Sequence, residues 1–194
     1  MMKDQLKNFW RVPYPVFAVL LVIGLAVSTM ALRANNQHMI QLRSVAYEAD
    51  KAGSGVEEAL DNLRGYVYAH MNTNLASGGN AIKPPIQLQY TYERLKAAED
   101  AKAQAANSKI YTDAQEYCQA KIPASVSGSA RVPCVSEYVT SHGVQVKEVP
   151  AGLYQFDFLS PAWSPDLAGW GLVFTILMFA LAVASFIKQR LVAT

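Results

Sequence analysis

Residues 12–32 read VPYPVFAVLLVIGLAVSTMAL, 21 positions without a charge between Arg11 and Arg33. As a helix rising about 1.5 Å per residue they extend roughly 30 Å, the thickness of a bilayer's hydrocarbon core. A cleaved secretory signal is the competing reading, but its apolar region is usually only about 7–15 residues, followed by a small-x-small cleavage site. Ala31 and Ala34 are small, yet Leu32 and Arg33 between them make a poor site. The stretch is therefore read as a permanent anchor.

A second stretch, LAGWGLVFTILMFALAVASFI at 167–187, again has 21 uncharged residues, between Asp166 and Lys188. That length exceeds what a soluble core helix ordinarily needs. The chain divides accordingly into a tail (1–11), a transmembrane helix (12–32), an outer domain (33–166), a second transmembrane helix (167–187) and a tail (188–194). Lys3, Lys7 and Arg11 precede the first span, and Lys188 and Arg190 follow the second. Basic residues close to the spans favour the cytoplasmic side, so both termini are expected inside a plasma membrane and the middle outside. Trp10, Tyr14, Trp163 and Trp170 lie near span ends, where aromatic rings favour the interface.

The outer segment carries 12 Lys/Arg against 14 Asp/Glu, a net charge of −2. It has no basic footprint for nucleic acid. Its two cysteines, Cys118 and Cys134, fall outside the cytoplasm in this topology, where such a pair forms a disulfide. The bond closes a loop of about 16 residues, worth roughly 3 kcal/mol on the chain-entropy model. The spacing is not the C-x-x-C of a redox site.

Along the outer segment the apolar period is helical. Leu32, Met39, Leu42, Val45, Ala46 and Ala49 continue the first span as a stalk, and GSG at 53–55 breaks it. Ser54 and Glu57 fit a capping box. Val56, Leu60, Leu63 and Val67 then form one stripe. Pro84 and Pro85 suit the first turn of a further helix, with Leu88, Tyr92 and Leu95 as its stripe. A new helix is expected from Asn107 or Ser108, and a short one from Pro133 to Gly143. Finally VQVKEV-PAG-LYQFDF reads as a small β-hairpin near residues 144–159. The expected fold is mainly α: two transmembrane helices flanking an extracytoplasmic bundle of about four helices with that hairpin appended.

A span leading into LRANNQHMIQLRSVAYEAD, further helices and a second span resembles, in layout, the extracytoplasmic four-helix sensor modules of bacterial receptors. The resemblance covers residues 12–187 and implies a sensory or partner-binding role. Those receptors carry an output domain after the second span, where this sequence has KQRLVAT. A signal would have to pass to a separate protein.

Catalytic signatures such as G-x-S-x-G, H-E-x-x-H and a Walker loop do not occur. A non-enzymatic envelope protein without a cofactor is expected, contacting the lipid bilayer and other envelope proteins or itself. A ligand sensor is the alternative. A third reading is metal or haem handling by His38, Met39, His70 and Met71, since imidazole with thioether suits copper or haem and a helical hairpin places the two histidines within about 6 Å in height. The bland reading puts the methionines in the core. Tyr66, Tyr68, Tyr90, Tyr92, Tyr111 and Tyr117 divide between core and surface, and Gly24/Ser28 and Ala180/Ala184 have spacings compatible with close helix packing.

Overall fold

Five helices account for most of the computed structural model, which describes residues 12–76, 79, 81–122 and 128–193. The tail 1–11 with Lys3, Lys7, Trp10 and Arg11 lies outside the described residues, as do 123–127 of the cysteine loop and Thr194. The chain divides into two units, one formed by the segments up to Ile86 and from Phe156, the other by Gln87–Gln155.

In the first unit, α1 runs without interruption over Tyr14–Ala52. Pro15 sits in its first turn, where the missing N–H costs no hydrogen bond. Gly53 ends it in the left-handed region (φ 74°), donating its N–H to the carbonyls of Ala49 and Asp50. Gly55 (φ 71°) starts α2, Val56–Ala69, so the chain reverses on two glycines. The expected capping box does not form. Gly55 occupies the cap position and no side chain caps the helix. The α2 stripe is as read: Leu63 and Val67 are fully buried, with Ala59 beside them, while α1 contributes Met39 and Ala46.

Helix α5, Leu167–Ala193, packs along the first half of α1. Both are long and apolar enough to cross a membrane. Their seam is built from small and hydroxyl side chains. Ser28 Oγ donates to the Gly24 carbonyl (2.7 Å) and lies 3.3 Å from Thr175 Oγ1, which donates to the Gly171 carbonyl (2.7 Å). A Cβ on Gly24 would come within 2.8 Å of Thr175 Oγ1, and one on Gly171 within 2.7 Å of Ser28 Oγ. Removing side chains lets the backbones approach, and each hydroxyl finds a partner without water. Of the two expected small-residue pairs, Gly24/Ser28 lies in the seam. Ala180 is exposed, and α5 instead presents Ala168, Gly171, Thr175, Met178 and Ser185.

The contacts between α1 and α5 run antiparallel in register. Asn35 meets Asp166, Ser28 meets Thr175, and the Ser185 hydroxyl donates to the Val12 carbonyl at 3.2 Å. The two charge-free stretches therefore begin and end at common levels.

The second unit pairs α3, Gln89–Lys121, with α4, Arg131–His142. Sequence reading splits α3 at Asn107. The structure keeps one 33-residue helix, because Asn and Ser in an Ala-rich run cost only about 0.5 kcal/mol each relative to alanine. Asn107 serves a different end: its side chain accepts from Val144 N–H (2.8 Å) and donates to the Val144 carbonyl (3.0 Å). That pair of hydrogen bonds occupies the Val144 N–H and carbonyl, groups a hairpin ladder would use, and residues 144–149 form no strand. The expected hairpin near 144–159 is thus replaced. Ala151–Leu153 is a single 3₁₀ turn, and Gln155–Phe156 (β2) pairs with Ile86–Gln87 (β1), where the chain passes from one unit to the other. Pro84 and Pro85 precede β1 rather than opening a helix.

Candidate functional site

Polar side chains from three elements of the first unit converge where α5 begins. Asp166 caps that helix, accepting from Gly169 N–H at 3.0 Å, the arrangement that satisfies otherwise orphaned first-turn donors. Its second oxygen accepts from Asn35 of α1 at 2.8 Å, and Ser164 Oγ donates to the first at 2.9 Å. Fully buried Ser164 also accepts from Met71 N–H at 3.1 Å. Asn72 donates to the Leu32 carbonyl at 3.1 Å, tying the loop after α2 to α1.

Against this knot lies a column of three rings. Tyr66 stacks on His70 with centroids 4.1 Å apart and meets His38 of α1 at 4.5 Å. His70 Nδ1 lies 3.1 Å from the Tyr66 carbonyl, which can only accept, so that nitrogen carries a proton. Burial pushes the Tyr66 phenol above its ordinary pKa, and the Asp166 charge adds to this. Asp166 itself is shifted down: burial raises it, but the hydrogen bonds from Gly169, Asn35 and Ser164, with the nearby His70 ring, outweigh that.

The four residues considered for metal or haem are thereby placed. His38 and His70 each meet the Tyr66 ring, at 4.5 and 4.1 Å between centroids. Met39 is buried in the hairpin core and Met71 lies in the turn after α2. Among the described residues, no three His, Cys, Asp or Glu side chains converge as a metal set. Asn35, Tyr66, Ser164 and Asp166 did not stand out in the sequence as a cluster. SPD directly before an apolar stretch was the available sign, since Asp three residues before Gly169 suits a helix cap.

In the second unit the disulfide expected between Cys118 and Cys134 is present, joining the last turn of α3 to the first of α4 with Cα atoms 6.0 Å apart. Two grooves flank the α3–α4 seam. One, about 330 Å³, is bordered by Tyr117, Lys121, Glu137, Tyr138 and His142. Tyr138 stacks on His142 at 4.2 Å and approaches Tyr117 at 5.3 Å. The other, about 480 Å³, is lined by Tyr111, Arg131, Val132, Val135 and Val139. Arg131 donates from its guanidinium to the Ile122 carbonyl at 3.4 Å, while its buried Nε has no hydrogen-bond partner among the described residues. Of the six tyrosines singled out in the sequence, Tyr66 and Tyr92 are half-buried and the other four are exposed.

No protein family, curated protein or solved structure matches this chain.

Proposed function

We propose that the chain is a non-enzymatic membrane protein of the cell envelope whose outer helical part binds partner proteins. In this reading α1 and α5 cross the plasma membrane, both termini are cytoplasmic and residues 33–166 are outside. The observation that carries it is the apolar groove of Tyr111, Val132, Val135 and Val139. Helix α4 has no fully buried residue, and Val132 is 68% exposed. A helix held by a covalent bond rather than by its own burial leaves its apolar side chains free for another surface. Aromatic residues with an arginine at the margin are favoured in protein interfaces.

A photo-crosslinking residue at Val132, in full-length protein in cells, tests this. Crosslinks to a discrete partner, absent when the residue is moved to exposed Lys109, are expected. Equal products from both positions would remove the basis for a specific groove. Topology is checked separately with a membrane-impermeant thiol reagent on intact cells. A cysteine at Ser54 should react and one at Lys188 should not.

A ligand sensor is the second reading, favoured by the unbroken α1 and by the Asp166 knot, which joins α1, the loop after α2 and the start of α5. Strain at the hairpin would reach both long apolar helices through those bonds. A thermal-shift screen of the full-length protein discriminates: stabilisation by one small-molecule class supports a sensor.

A further inference from the structure

Beside the Asp166 knot lies an exposed surface that contains Trp163 and Trp170, both expected near the interface from their place at a span end. Between β2 and α5 the chain has no regular secondary structure, and over residues 157–160 exposed and covered side chains alternate. Phe158 is buried and meets Tyr68 edge-to-face at 6.1 Å, whereas Leu159 points away and is 71% exposed. Ser160 is then pinned by Asn74, which accepts from its N–H at 2.9 Å and its hydroxyl at 3.0 Å. Trp163 turns back onto Trp170, with rings edge-to-face at 5.6 Å, yet the two remain 45% and 60% exposed. Leu167 is 66% exposed beside them.

The height of this patch is set by two independent contacts. Gly169 is covered so closely that a Cβ there would collide with the Ser164 carbonyl oxygen and lie 2.8 Å from Trp163 Nε1. The Trp163 ring is therefore held alongside the first turn of α5, not above it. The loop containing Asn74, which holds Ser160, is bonded through Asn72 to the Leu32 carbonyl, at the end of the charge-free stretch of α1. Leu159 and Trp163 are thereby tethered, through Ser160 and Gly169, to the end of the charge-free stretches where Leu167 and Trp170 stand exposed. Asp166, the nearest carboxylate in sequence to this surface, is turned inward onto Asn35 and Ser164. Asp157 is exposed two residues before Leu159 and limits how deep the segment can sit.

We propose that Leu159, Trp163, Leu167 and Trp170 form a foot that seats in the outer headgroup region of the bilayer, the lipid surface itself being the partner. The inference rests on the membrane placement of α1 and α5 and adds a non-helical contact to it. Indole suits that layer because its ring is apolar while its N–H remains hydrogen-bonded. The foot fixes the depth and rotation of α5, which length and hydropathy alone leave open.

The test uses full-length protein in phosphatidylcholine vesicles whose acyl chains are brominated either near the headgroup or near the chain end. One variant keeps Trp163 alone (Trp10→Phe, Trp170→Phe). The control carries a single Trp in mid-helix (Phe179→Trp with Trp10, Trp163 and Trp170 all changed to Phe). Trp163 should lose the larger part of its emission to shallow bromines, little to deep ones and little to aqueous iodide. The control should respond most to deep bromines. Quenching of Trp163 by iodide and by neither lipid, with the control still quenched, overturns the foot and leaves the membrane reading standing. A control that no brominated lipid quenches overturns both. A second probe leaves the tryptophans intact: an environment-sensitive fluorophore on Leu159→Cys should shift to the blue on reconstitution, and one on Lys51→Cys should not. Identical behaviour of the two also overturns the foot.

Discussion

The two units reach order by different means. The first closes a core with three helices: Leu63, Val67 and Ala46 are fully buried, and the Gly24–Ser28 seam brings two backbones together. The second has two helices, too few to enclose a core, and α4 buries none of its residues completely. A disulfide and the Asn107 clamp on Val144 supply there what packing supplies in the first unit. One consequence is that the second unit can leave apolar side chains exposed without losing its shape.

Substitutions can break or sharpen this contrast. The largest effect is expected for Leu63→Ala, which opens a cavity in the hairpin core and should cost roughly 2–5 kcal/mol. Val132→Ala, on the exposed face of α4, should change stability little. Denaturation of the full chain, followed by hydrogen exchange, measures both, and equal costs would dissolve the contrast.

Next comes the double change Cys118→Ser with Cys134→Ser, expected to cost about 3 kcal/mol. The loss should be confined to α4 and the end of α3, with protection of the α1–α2 hairpin unaltered. Global loss of protection would mean that the two units do not fold independently.

Gly171→Ala is expected to cost about 1–3 kcal/mol by overpacking, since its Cβ meets Ser28 Oγ. The readout is disulfide trapping between cysteines at Tyr14 and Phe186, whose rings are 5.5 Å apart. Trapping should fall in the alanine variant, and unchanged yield would show that the seam yields by rotating Ser28.

The smallest of the four is Asp166→Ala, which removes the α5 cap for about 1 kcal/mol. It also carries a pH signature. The folded Asp166 carboxyl titrates below its ordinary range, so its contribution is present above the unfolded pKa and is lost as pH falls through the folded value. Melting temperature should therefore fall less steeply with acid in the variant than in the parent. Parallel acid limbs would show that Asp166 is not a source of the pH dependence.

How much of this was legible in the sequence follows from the range of the interactions involved. The two apolar helices, the α2 stripe, the break at GSG and the cysteine pair are all local or compositional. Charge-free length, 3.6-residue periodicity and glycine conformational freedom act within a few turns of chain. The division of α3 at Asn107 and the hairpin at 144–159 were misread for one shared reason. Asn107 has helix-breaking tendencies that matter only when its side chain turns on its own backbone, and here that side chain is committed to Val144, 37 residues away.

What the sequence by itself determined is the set of segments: which stretches are apolar enough to cross a bilayer, which are amphipathic, and which cysteines can meet. Only the tertiary structure decided the partners. Gly24 needed Thr175 opposite it before its missing side chain meant anything. His38 needed Tyr66 of the neighbouring helix against it, a ring contact that spacing along either helix cannot reveal. Asp166 needed Asn35, 131 positions distant, to become a junction as well as a cap. Periodicity reports which face of a segment is apolar, but the identity of the surface covering that face is a long-range property of the folded chain.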